Sequence, residues 1–569
     1  MGATNKPNDG PTGNIAPREE AAYALTLSGA ERLEALLESD EPMQVVRSLP
    51  DRDLYLTIRQ VGVVDALPVL ALASPTQVQH VLDLESWRQD RFDPDRAGAW
   101  MAVLAESGEP TFKQFLLHAD DELLVVLLAG WARVSQIEFD DQIPIHGAGE
   151  GDMGDERGFA GPDSFHRFSP ERQEHAPAVR KMVDLLFRNE PERYQRLLMD
   201  ALWQLPSELE EQARHWRQSR LEEHGFPGAE EAMEIYLPPK GVRTDQEAPL
   251  STELAGASAS LVFPTVGEGW LGSLADDLPP AEQDHVMHQV SALANRVLVA
   301  DHLDTGDPES HQAAARKAAA TIGIALSARF ASDGRSVATV LREMPVIELF
   351  REGYAKIETM KQDSHRLLQE GWPSTAPNAL DLVDPPLRQR LAGLVDRAPL
   401  YYQVPMGDTK EMFREFRSLD EVLETQTALD LVRRIGSIFV DRLGLDINRL
   451  LEESTDFPHG NPTFSTLMMT MMAWHAARKE VRLEPLPEDV LADFLRIVAS
   501  RRTADDQAPE RALTALVRRL TETVELAPRD GAALQGFGQA CLPALRAECG
   551  QMDPGAPPNQ RTVSCLLIR

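Results

Sequence analysis

Cysteine is nearly missing. The chain has 569 residues and only three cysteines, Cys541, Cys549 and Cys565. All lie near the C-terminal end, the count is odd, and no CxxC pair occurs, so no disulfide framework is indicated. That usage suits a reducing cytoplasm. Positive charge is also scarce: 57 Lys+Arg stand against 90 Asp+Glu, a formal net charge of −33. A surface of that sign repels a phosphate backbone, which excludes nucleic acid as an expected partner, and it disfavours anionic membrane surfaces for the same reason. Long apolar runs are missing too. The best, Leu123 to Ala132, is ten residues and closes at Arg133, whereas a spanning helix needs about 20. The uncharged stretch Phe457–Ala477 opens on Pro458, His459, Gly460, Asn461 and Pro462, and its remainder is too short to cross, so no membrane insertion is expected. Met1 to Asn14 has neither a basic n-region nor an apolar h-region and reads as no secretory signal. Lys6 stands where a myristoylation signal wants Ser or Thr.

Helix signals, in contrast, are abundant. Ser28 with Glu31, Ser74 with Gln77, Ser207 with Glu210 and Ser418 with Glu421 have capping-box spacing, in which hydroxyl and acid or amide each satisfy a free backbone donor. Ser74-Pro75, Asp93-Pro94, Ser169-Pro170, Asp307-Pro308 and Asp384-Pro385 place a capping side chain before a proline, whose missing N–H is harmless in a first helical turn. Apolar residues recur at i, i+3, i+4 in Val179-Met182-Val183-Leu186-Phe187, in Tyr194-Leu197-Leu198-Ala201-Leu202-Leu205, in Leu491-Phe494-Leu495-Val498 and in Leu513-Leu516-Val517-Leu520. Each draws one stripe that must pack on another helix. Period-two alternation is rare. Its best candidate is Leu400–Val404 with Phe413–Phe416, a small hairpin. With 43% hydrophobic residues the chain can bury large cores. The expected class is therefore mostly α and multidomain, with a superhelical stack of short helices at the N-terminus.

Composition divides the chain into a disordered tail at 1–18, a superhelix-like domain at 19–134, and an acidic, glycine-rich loop at 135–163. A helical segment at 164–240, a connector at 241–280 and a helical domain at 281–372 follow. Trp372-Pro373 to Pro377 is a break. A C-terminal helical domain at 378–550 holds the hairpin near 400–417, and 551–569 is a tail. Residues 135–163 carry eight acids, one base and six glycines. From Arg478 to Arg569 there are 13 basic and 13 acidic residues, so the whole surplus sits earlier in the chain.

Short helices punctuated by Ser48-Leu49-Pro50, Ala73-Ser74-Pro75 and His118-Ala119-Asp120 give the segment Leu36 to Trp131 an irregular repeat. It resembles the superhelical N-terminal domains of bacterial magnesium transporters and of a flagellar motor switch protein, which implies a regulatory or assembly module. A wider resemblance rests on Leu49-Pro50-Asp51-Arg52-Asp53-Leu54-Tyr55, Ala201-Leu202-Trp203-Gln204-Leu205-Pro206-Ser207-Glu208-Leu209-Glu210, Asn295-Arg296-Val297-Leu298-Val299-Ala300-Asp301 and Pro399-Leu400-Tyr401-Tyr402. These words are similar to those of an uncharacterised bacterial domain-of-unknown-function family. The resemblance implies a helical cytoplasmic protein and carries over no catalytic residue.

Several constellations invite a chemical reading. Gly267-Glu268-Gly269-Trp270-Leu271-Gly272 matches GxGxxG, but Pro264 interrupts the strand before it and Glu268 opposes a phosphate, so a glycine-rich connector is expected. His285 and His288 share a helix face at i, i+3, and Asp301 or His302 would complete a coordination sphere for a divalent transition metal. Asp284 and Asp304 flank this set. The plain alternative is a solvated helix end with Asp301 in a turn. Phe464, Leu467, Met468, Met471, Met472 and His475 form one stripe. Methionines so placed fill cores, line adaptable partner grooves or, with an imidazole, hold Cu(I). Gly147 to Asp155 lacks EF-hand spacing and reads as a solvated loop. No GxSxG, Walker loop or HExxH occurs.

The expected function is a non-catalytic cytoplasmic interaction or regulatory scaffold with a protein partner and no cofactor, Phe464, Leu467, Met468, Met471 and Met472 forming the candidate groove. The alternative is a metal-dependent enzyme or metal sensor built on His285, His288, Asp301 and His302.

Overall fold

Ser74, Asp93, Asp307 and Ser418 each sit at a helix start and accept backbone N–H groups that the first turn leaves free. The Ser74 hydroxyl accepts from the Gln77 amide at 3.2 Å while Gln77 Oε1 accepts from the Ser74 amide at 2.8 Å. Asp93 Oδ1 accepts from the amides of Asp95 and Arg96, both at 3.1 Å. These caps belong to a computed structural model that describes residues 17–88, 90–137, 158–223, 225–239, 270, 278–305, 307–404, 412–453, 462–499, 507–549 and 563–568. Three expected starts shift. Ser169-Pro170 lies in a strand, Glu210 accepts from the Phe92 amide at 2.9 Å instead of closing a box with Ser207, and the Asp384 carboxylate accepts from the Ser465 amide at 3.0 Å while the helix after it starts only at Leu387.

The described residues hold 24 helices and only small sheets, a mostly α architecture. Contacts gather the chain into two compact units, Met1–Arg351 and Glu352–Arg569. The division falls inside the segment assigned to 281–372. The connector at 241–280 and the acidic run 138–157 lie almost wholly outside the described residues.

In the first unit, short helices α1 (Pro17–Leu25), α2 (Gly29–Leu37), α3 (Pro42–Ser48), α4 (Asp51–Val61), α5 (Leu67–Leu70) and α6 (Pro75–Glu85) succeed one another. Next come a two-residue hairpin, β1 (Trp87–Arg88) and β2 (Arg91–Phe92), and helices α7 (Pro94–Ser107), α8 (Glu109–His118) and α9 (Asp121–Trp131). The ten-residue apolar run is α9: Leu123 to Leu128 and Trp131 are all buried, because α7, α11 (Pro191–Trp203) and α12 (Pro206–Glu223) pack around it, with α10 (Ala176–Asn189) beside them. An antiparallel sheet, β3 (Ala132–Gln136), β4 (Phe159–Ala160) and β5 (His166–Pro170), has β5 in the middle, with Val134 opposite Phe168 and Phe159 opposite Phe168. The sequence reading has no strand here. Each strand buries only one or two apolar residues, too few to show alternation. α13 (Ala229–Met233), α14 (Pro280–Ala300), α15 (Pro308–Asp333) and α16 (Val337–Glu343) complete the unit, and α17 (Val346–Glu370) begins in it. Buried Ala314, Ala315, Ala318 and Ala319 give α15 a slim face where it packs on α14.

In the second unit, α18 (Leu387–Val395) leads to the hairpin β6 (Tyr401–Tyr402) and β7 (Phe413–Arg414), with Tyr402 opposite Phe413 as expected. Then follow α19 (Leu419–Ser437), α20 (Ile447–Glu453), α21 (Phe464–Arg478), α22 (Glu488–Ala499), α23 (Ala508–Thr523) and α24 (Pro528–Cys549). α21 is central and packs on α22, α23 and α24. Residues 563–568, assigned to a tail, are tied in: the Leu567 amide donates to Thr470 Oγ1 at 2.9 Å, and the Leu486 amide donates to the Leu567 carbonyl at 2.8 Å.

Candidate functional site

The two residue sets expected to carry function take different places. His285 and His288 are exposed in the first half of α14, and Asp301 caps its far end. The helix is continuous, and at a rise of about 1.5 Å per residue it holds His288 and Asp301 about 20 Å apart. The four side chains therefore do not share one coordination sphere. Asp301 is bound otherwise: it accepts from the Tyr236 hydroxyl and from Lys317 Nζ, each at 2.6 Å. His302 follows it with φ 54°, turning the chain toward α15. The second set, Phe464, Leu467, Met468, Met471 and Met472, is wholly buried within the second unit. Phe464 meets Trp372 and Phe439 with ring centroids 5.1 and 5.2 Å away. The face offered as a partner groove is occupied by the chain's own helices, which corrects that reading in favour of core packing.

Three gatherings of titratable groups in the first unit hold its elements together. Asp163 accepts from His166 Nδ1 at 2.6 Å and from the Tyr194 hydroxyl at 3.0 Å. Burial pushes this carboxyl up, but those bonds and the Phe165 and His166 amides outweigh it and hold Asp163 below its ordinary value. The arrangement staples the β4–β5 turn to α11. Second, Arg220 clamps the buried Asp83 carboxylate with two bonds of 2.7 Å and reaches Asp120 with its third nitrogen, also at 2.7 Å. That fork ties α12 to α6 and to the start of α9. Third, Arg52 on α4 donates to Asn295 Oδ1 at 2.8 Å and meets His311 Nδ1 at 3.0 Å. The second nitrogen of His311 lies 2.8 Å from the Thr305 carbonyl, so it carries the proton and Nδ1 accepts. Burial, helped by the Arg52 charge, pushes the His311 pKa down to about 3 and keeps the ring neutral. Asp53 lies beside Arg52, fully buried, with no hydrogen bond to either carboxylate oxygen among the described residues. Burial pushes it up to about 7 against the pull of Arg52 and Arg32. These three networks fix helices to one another.

The surface feature that stands apart is the outer face of α11. Its inner face buries Tyr194, Leu197 and Leu198, as the stripe predicts. Glu192, Gln195, Arg196, Met199 and Asp200 follow one another on the other side at i, i+3, i+4, i+7 and i+8 and line a shallow depression of about 430 Å³. Trp203, one turn beyond Met199, is 73% exposed, and Leu205, expected on the buried stripe, is 61% exposed. Leu205 leaves the stripe because the helix ends at Trp203 and a new one starts at Pro206. Three large apolar side chains thus stand in solvent within seven residues, with Glu192, Arg196 and Asp200 lining the depression and exposed Glu208 following in the chain. Isolated exposed apolar residues are ordinary, whereas adjoining ones mark contact surfaces. Sequence periodicity reports which face is buried and says nothing of what covers the other, so this surface was not legible in advance.

No helix among the described residues is long and apolar enough to cross a membrane. No curated protein and no solved structure matches the chain. A family model described as a family of unknown function (DUF6178) matches residues 11–569, nearly the full length, and the chain belongs to that family.

Proposed function

We propose that the protein is a non-catalytic cytoplasmic scaffold that holds a basic amphipathic helix of a partner protein along the outer face of α11 and its turn into α12. The observation that carries this reading is the adjoining exposure of Met199, Trp203 and Leu205 beside a shallow depression. Tryptophan anchors and adaptable methionines suit a helix-in-groove contact. Burying each such side chain is worth about 1.5–3 kcal/mol. The acids Glu192 and Asp200, in a chain of net charge −33, complement basic residues and disfavour acidic competitors.

The double substitution W203S/L205S tests it. Both side chains are exposed, so stability should change by no more than about 0.5 kcal/mol. Affinity purification of wild type from the native cell should recover a partner bearing a basic amphipathic segment. A peptide of that segment should bind wild type, more weakly as salt rises, and should fail to bind the double variant. Equal binding by the two proteins would contradict the proposal.

A further inference from the structure

Among the described residues, one group of three brings metal-ligating atoms together: Asp95, Glu174 and His175, with the three atoms within 4.8 Å of one another. Asp95 belongs to the first turn of α7. Glu174 and His175 close the 3-10 turn Gln173–His175 that leads into α10. The two carboxylates alone would be an ordinary acidic surface. His175 is not ordinary. It is 7% exposed, lies beside the Trp131 ring, and its Nδ1 is buried with no hydrogen-bond partner among the described residues. Its Nε2 faces Asp95 Oδ1 at 3.9 Å. Gly98 leaves the space beside that nitrogen, since a Cβ there would stand 2.9 Å from Nε2.

We infer that Asp95, Glu174 and His175 bind one divalent transition ion of the Zn²⁺ kind, His175 through Nε2, with water filling the remaining positions. Ligand bonds of about 2.0–2.2 Å in a tetrahedral sphere hold two donors about 3.3–3.6 Å apart. The His175–Asp95 separation of 3.9 Å exceeds that by a few tenths of an ångström, which a small turn of the half-exposed Asp95 side chain closes. The third ligand needs only a small torsion, because the Asp95 and Glu174 side chains are 50% and 67% exposed. One imidazole and two carboxylates suit zinc. The cation now at the site is Arg172, whose guanidinium lies 2.8 Å from Asp95 and 3.4 Å from Glu174. Its side chain is 56% exposed and can swing away when an ion enters. Binding would tie the start of α7 to the start of α10. The site is independent of the α11 face and of the His285 set.

The test uses full-length protein without a histidine tag, stripped by chelator, then dialysed against Zn²⁺ and, as an absorbing probe, Co²⁺. Wild type should take up close to one equivalent, show a cobalt ligand-field band, and unfold at a higher temperature with Zn²⁺ present. D95N/E174Q changes only exposed side chains and should weaken binding at least tenfold while folding normally. R172Q should bind more tightly, because the competing guanidinium is gone. H285A/H288A should bind like wild type. Absence of uptake by wild type, unchanged affinity in D95N/E174Q, or lost binding in R172Q would each overturn the assignment.

Discussion

At the scale of single residues, the first unit is shaped by charges inside it. Asp53 is the extreme case. Its carboxyl ordinarily titrates near 3.8 and is pushed up to about 7 here by burial. The folded chain therefore holds this proton more tightly than the unfolded chain. Its favourable contribution is complete below about pH 4, falls as pH rises, and is lost once pH passes about 7. Above that the ionised form costs about 4 kcal/mol. D53N mimics the protonated form. It should raise the denaturant midpoint at pH 8 and match wild type near pH 4; a difference independent of pH would contradict this account. None of it was legible in Leu49-Pro50-Asp51-Arg52-Asp53-Leu54-Tyr55. That string gives a helix start, which it is, but a charged residue at a first turn ordinarily faces water. Only α14 and α15, more than 200 residues later, bring Asn295 and His311 to Arg52.

At the scale of elements, capping chemistry was the most readable signal. Ser74, Asp93, Asp307 and Ser418 act locally, and local hydrogen bonds do not depend on the rest of the fold. The His285 set failed to converge for an equally local reason: α14 stays helical through 300, so spacing in sequence becomes distance along an axis. Consequently H285A/H288A should shift stability by no more than about 0.5 kcal/mol in differential scanning calorimetry; a loss of several kcal/mol would show that these rings hold something. Close helix contacts are the opposite case. Gly436 near the end of α19 faces the Trp372 indole so tightly that a Cβ would lie 2.0 Å from it. Trp372 is 3% exposed and donates to the Val432 carbonyl at 3.2 Å, so it has nowhere to move. G436A should destabilise the second unit by about 1–3 kcal/mol, seen as a lowered unfolding midpoint. An unchanged midpoint would mean that the indole is free to shift.

At the scale of the whole molecule, capping signals and apolar periodicity pointed to the mostly α class, and a short alternation to the hairpin at Tyr401–Phe413. The two compact units do not follow the composition breaks. Glycine-rich and acidic stretches mark where backbone is solvated, whereas units are defined by contacts between helices far apart in sequence. The short sheet around Phe168 was missed because single buried residues leave no periodic trace, and the packed segment Val563–Ile568 because its apolar run, Leu566 to Ile568, is too short to show a period. Function was least legible, since a contact face is recognised by what remains exposed after folding. The central claim is that Trp203 and its neighbours meet a partner's basic amphipathic helix. A photoreactive amino acid at position 203, irradiated in the native cell and mapped by mass spectrometry, tests this most directly. The account predicts cross-links concentrated in one basic amphipathic segment of one partner and absent when the same probe replaces exposed Phe330 on α15. No cross-link at position 203, or the same scattered products from both positions, would contradict it.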